Sequence, residues 1–117
     1  MNASAEVVRL YHTDIVAWAE QQALAAWIEA TRHRLVEASG RLDGILIGAG
    51  LGIPAGTALF RLVRTPSARA LFHHLGRAGI LVRNFPDNAT WLRFGLPAYE
   101  EDWLRLQIAM DAFRNNG

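Results

Sequence analysis

Between Pro54 and Pro97 the chain is cut by Gly, Pro and Asn into short pieces, and the apolar period switches between two and about 3.6 from piece to piece. Such switching admits short strands joined by helices. Ala58-Leu59-Phe60-Arg61-Leu62-Val63-Arg64 follows the turn-like Pro54-Ala55-Gly56-Thr57 and has the length and the aromatic and β-branched content of a strand. Thr65-Pro66 supplies an N-cap with Pro at the first helical position; Ala68, Leu71, Phe72, Leu75 and Ala78 then recur at helical spacing until Gly79. Ile80–Phe85 and Thr90–Leu96 read as two further strands around Pro86-Asp87-Asn88. After Pro97, Glu100-Glu101-Asp102 suits a helix N-terminus, and Trp103, Leu106, Met110 and Phe113 form one apolar stripe.

Ahead of these pieces, Ile15, Trp18, Ala19, Ala26, Leu35 and Ala38 fall at helical spacing, with Thr13 or Asp14 available as N-cap. The helix, broken at most once, is expected over about 14–49. Gly44-Ile45-Leu46-Ile47-Gly48 also has the character of a short buried strand, but Leu42, Ile45, Leu46 and Ala49 continue the helical stripe. Gly50 followed by Leu51 suits a left-handed C-cap with an apolar contact after it. The order helix, strand, helix, strand, strand, helix points to an α+β two-layer sandwich: a small, mostly antiparallel sheet with helices on one face. At 117 residues one domain over 1–117 is expected, the long helix over about 14–49 and the sheet and helices over about 52–114.

An apolar share of 51% against 20% charged residues is that of an ordinary globular protein, and the formal charge of +1 carries no electrostatic footprint for nucleic acid. No apolar run is long enough to cross a bilayer and no secretory leader is apparent, so a soluble, cytoplasmic protein is expected. The absence of Cys excludes disulfides and thiolate chemistry. All twelve basic residues are Arg, so the chain has no lysine amine for a Schiff base.

Alternation over Thr90–Leu96 places Leu92, Phe94 and Leu96 on one face and Trp91, Arg93 and Gly95 on the other. Arg93 is the leading site candidate: its fork of donors matches a carboxylate, and Gly95 leaves room for a ligand to approach the backbone. From pattern alone, an ion pair within its own domain or simple solvation is the commoner role. Arg83 ranks second, with a solvated strand-edge position as its ordinary reading. Adjacent His73 and His74 point about 100° apart on a helix and read as an exposed face. With His12 and His33 isolated, no metal site is expected. Gly48-Ala49-Gly50-Leu51-Gly52 has a helix before it and a strand after it, the reverse of a phosphate-cradling loop.

The blocks Gly56–Arg64, Ala78–Phe85 and Trp91–Pro97 together resemble the C-terminal domain of the threonine-phosphate decarboxylases, and Trp27–Leu35 with Arg41-Leu42-Asp43 resembles the helix joining their two domains. The likeness covers about residues 20–113; the wider histidinol-phosphate aminotransferases share the Gly-Ile-Leu-Val-Arg strand followed by a Leu-Arg strand. The resemblance implies a pyridoxal-phosphate enzyme of cobalamin biosynthesis acting on an amino-acid phosphate, with Arg93 holding the substrate carboxylate and Arg83 shaping the pocket or taking the phosphate. It also implies a large catalytic domain as partner, supplying the catalytic Lys, the cofactor-phosphate loop and the Asp that faces the pyridine nitrogen. This chain alone then binds no cofactor and is inert. The alternatives are a stand-alone, non-catalytic interaction module, dimeric through the apolar N-terminal helix, and an unrelated α+β binding domain.

Overall fold

The computed structural model describes the backbone of residues 3–116 and the side chains of residues 14–115. Seven elements follow one another: α1 (Ala3–Gly48), β1 (Ala55–Gly56), β2 (Phe60–Arg64), α2 (Ala68–Arg77), β3 (Arg83–Asn84), β4 (Trp91–Gly95) and α3 (Glu100–Asn116). The contacts divide the chain into two compact units, Met1–Arg34 and Leu35–Gly117. In the first, α1 exposes Ile15, Val16, Trp18, Leu24, Trp27 and Ile28. The second holds the sheet and the core.

The four strands form one antiparallel sheet in the order β1-β2-β4-β3. Val63 of β2 and Leu92 and Phe94 of β4 point from one face into a core shared with Leu42 and Leu46 of α1, Leu71 and Leu75 of α2, and Trp103, Leu106 and Met110 of α3. Helices from three parts of the sequence thus cover one face of the sheet, the α+β two-layer arrangement expected. Each fully buried Leu contributes about 2–3 kcal/mol through removal of apolar surface from water.

The local expectations hold in part. α1 ends as read: Leu51 N–H donates to Leu46 O at 3.2 Å and Gly50 N–H to Ile47 O at 2.9 Å, with Gly50 at φ 84. The Gly48–Gly52 cluster therefore terminates a helix. At its other end α1 has no cap at Thr13 or Asp14 and no break, because no Gly or Pro interrupts Ala3–Ser39. The helix after Thr65-Pro66 starts at Ala68, with Ser67 as N-cap, because Thr65 Oγ1 accepts from Ser67 N–H at 3.2 Å and forms a turn first. Ile80–Phe85 pairs only over Arg83–Asn84. Ala55–Gly56, read as a turn, forms edge strand β1; at Gly56 a Cβ would lie 2.6 Å from Phe60 O, so only glycine permits this approach.

Two arginine pairs tie α1 to the remainder of the second unit. Arg61, on the inner face of β2, donates to both Asp43 oxygens at 2.7 and 2.9 Å and to the carbonyls of Pro54, Gly56 and Thr57 at 3.2–3.3 Å. This arrangement uses all the directions of the guanidinium fork and fixes the loop before β2. Arg41 makes two bonds to Glu100 at 2.6 and 2.9 Å while lying 4.4 Å from the Trp103 ring centroid.

Bonding to Arg41 holds the Glu100 carboxyl below its ordinary value of 4.5, and the same bond raises Arg41. A carboxyl whose folded pKa lies below its unfolded one adds stability that is fully present above the unfolded value and is lost as pH falls through the folded one. A carboxyl-carbon NMR titration is expected to place Glu100 below the ordinary glutamate value, and Arg41→Ala to return it toward that value.

Candidate functional site

The register of the sheet assembles the outer face. Leu62 lies opposite Arg93, and Arg93 opposite Arg83; Phe60 faces Gly95 and Arg64 faces Trp91. Residues directly opposite share a face, so Phe60, Leu62, Arg64, Trp91, Arg93, Gly95 and Arg83 all stand on the side away from the core. None of them belongs to the core cluster.

Arg93 is half-buried on this face, as the alternation of Trp91–Gly95 requires once Leu92 and Phe94 are buried. Its guanidinium carbon lies 4.3 Å from the Phe60 ring centroid. Arg64 stands over Trp91 at 5.4 Å, and Arg83, on edge strand β3, over Phe85 at 5.8 Å. Phe85 and Trp91 meet edge to face at 5.9 Å. Three cations therefore rest on aromatic rings, and among the described residues none of the three forms a salt bridge or a hydrogen bond. No acidic residue lies in any of the four strands.

The contrast with Arg61 is chemical. Arg61 points inward and is saturated by Asp43 and three carbonyls, whereas the outward arginines keep their donors for solvent or a ligand. Arg83 and Arg93 occupy directly opposed positions, an arrangement of like charges that costs stability. A sheet face with this charge and these platforms is suited to an anion, bound bidentately through guanidinium forks.

The sequence singles out Arg93 and Arg83 but not their proximity, nor Phe60, Arg64 and Trp91 as parts of the same face. The period-two pattern of Phe60, Leu62 and Arg64 was the available signal; it acquires meaning only with the register. His74 differs from its reading as an exposed residue: it is half-buried, with Nε2 2.7 Å from Ala109 O and its ring 5.3 Å from Phe113, because α3 packs along α2. His73 is exposed. Among the described residues no three His, Asp or Glu gather as metal ligands.

The class defined by this fold is the aminotransferase type. The structure resembles a Burkholderia pseudomallei protein assigned as an aminotransferase, with a TM-score of 0.59 and 24% identity over 74% of this chain and 27% of that one. In sequence the chain is similar to two threonine-phosphate decarboxylases. It is 43% identical to that of Pseudomonas aeruginosa over 81 residues, 69% of this chain and 24% of the relative. With that of Sinorhizobium sp. the identity is 47% over 62 residues, 53% and 19%. The chain fits a C-terminal fragment of that fold and spans about a quarter or less of the length of these curated relatives. No protein-family model matches it. No described helix is long and apolar enough to cross a membrane.

Threonine-phosphate decarboxylases and aminotransferases depend on pyridoxal phosphate. The residues present do not fit that cofactor's reactive end: the chain contains no lysine, and the open sheet face carries no carboxylate to face a pyridinium.

Because Arg83 repels Arg93, Arg83→Gln is expected to raise stability by about 0.2–1 kcal/mol at low ionic strength. Denaturant unfolding in low and high salt checks this, the difference shrinking as salt screens the pair.

Proposed function

We propose that the chain is the substrate-carboxylate-binding domain of a pyridoxal-phosphate-dependent enzyme of the threonine-phosphate decarboxylase and aminotransferase type, acting in cobalamin biosynthesis in the cytoplasm. The observation that carries this reading is Arg93, held on an open sheet face with no acceptor among the described residues. Arg93 orients the carboxylate of an amino-acid phosphate, a positioning role that leaves proton transfer to groups elsewhere. Arg83, one strand further out, shapes the substrate site or takes the substrate's phosphate. The aldimine-forming lysine belongs to a large catalytic domain that is the partner of this face, and the chain alone is inert.

The test is a chimera in which this chain's matching segment replaces that of the Pseudomonas aeruginosa relative. Decarboxylation of threonine phosphate is expected to persist, and Arg93→Ala within the chimera to lower kcat/KM by about 10²-fold, near 3 kcal/mol for a lost charge-assisted contact. An Arg93→Ala chimera as active as its parent would sink the assignment.

A second reading, a stand-alone dimeric module, draws on α1. Trp18 and Trp27 are 62% and 61% exposed, and Ile15 lies on the opposite side of the helix from Leu24 and Ile28. A helix apolar all round is normally enclosed, by a catalytic lobe on the first reading and by a second copy on the other. Sedimentation separates them: one dimer species that Trp18→Ser and Trp27→Ser dissociate favours the module, and polydisperse, concentration-dependent association favours a domain lacking its lobe.

A further inference from the structure

We infer that Phe60 is a positioning residue for Arg93: its ring holds the guanidinium so that the in-plane donors stay directed at an incoming anion. The inference deepens the preceding reading and rests on Arg93 being the anion-binding residue.

Phe60 is 43% exposed and stands outside the core cluster, so burial gives no reason for a phenyl group at this position. Its close charged neighbour is Arg93, at 4.3 Å from guanidinium carbon to ring centroid, the shortest such contact on the outer face. A guanidinium over a ring face is held by the ring's quadrupole and by its own planarity, and its N–H donors remain unused because the ring accepts none of them in its plane. Elsewhere the chain immobilises an arginine through acceptors: Arg61 is held by Asp43 and three carbonyls and keeps nothing for a ligand. An aromatic platform immobilises Arg93 without that loss.

The residue opposite Phe60 supports the same conclusion. Gly95 has no positive φ, and a Cβ built there meets nothing within 4 Å, so neither backbone conformation nor packing within this chain calls for glycine. Its bare backbone keeps the space beside Arg93 and the Phe60 ring clear on the open face. Fixing a rotamer-rich arginine before binding removes an ordering cost that the ligand would otherwise bear.

The experiment uses the full 117-residue chain with Phe60→Leu and Phe60→Tyr. Without ligand, the Arg93 Nε–Hε NMR signal should be ring-current shifted and ordered in the parent and in Phe60→Tyr, and averaged in Phe60→Leu. On titration with O-phospho-L-threonine, Phe60→Leu should bind about 3- to 10-fold more weakly, and Phe60→Tyr within about 2-fold of the parent. An unchanged Arg93 signal or an unchanged affinity in Phe60→Leu overturns the role of Phe60 and leaves the anion reading intact. If the parent shows no response to the probe that Arg93→Ala removes, the anion reading itself fails and the role of Phe60 with it.

Discussion

The burial of Leu92 and Phe94 governs the arrangement of the molecule, because it orients β4, the strand that pairs with both β2 and β3. Both side chains lie in the core at the centre of the sheet. A slip of one residue in β4 would expose them and drive Trp91 and Arg93 inward, leaving a guanidinium without acceptors in an apolar interior. The apolar gain on one face and the desolvation cost on the other act in the same direction. Arg93 therefore faces outward for reasons unrelated to any ligand, and its availability follows from packing.

Polar groups in the second unit divide along the same plane. Toward the helices, Arg61 meets Asp43 and the loop carbonyls, and Arg41 meets Glu100 at the start of α3, so cations there have partners that fasten elements together. Away from the helices, Arg64, Arg83 and Arg93 rest on Trp91, Phe85 and Phe60 with no carboxylate in any strand. A folded domain tolerates such a face at some cost in repulsion. On the proposed function, an anion bound against this face would offset that repulsion.

The elements whose legibility depended on neighbours in sequence were read well. Gly50 and Leu51 stop α1 through backbone bonds spanning a few residues, and the β4 alternation is visible in seven letters. Where a distant partner decides, the reading fell short. Ala55–Gly56 becomes a strand only because β2 passes at a distance that glycine allows. Most of Ile80–Phe85 leaves the ladder despite its β-forming composition, and Val82 packs on the core while Leu81 is almost fully exposed. His74 is drawn inward by α3, which lies 35 positions along the chain.

By itself the amino-acid order determined the periodicities, the helix stops, the outward placement of Arg93 and the lack of an aldimine-forming amine, since each depends on residue type or on spacing along a few turns. The tertiary structure decided that Arg83 stands directly across from Arg93, that Phe60 supports its guanidinium, and that Arg61 is consumed by Asp43. Those relations are set by strand register and helix docking, which no local spacing encodes, because they arise only when segments far apart in the chain bury their apolar faces against one another.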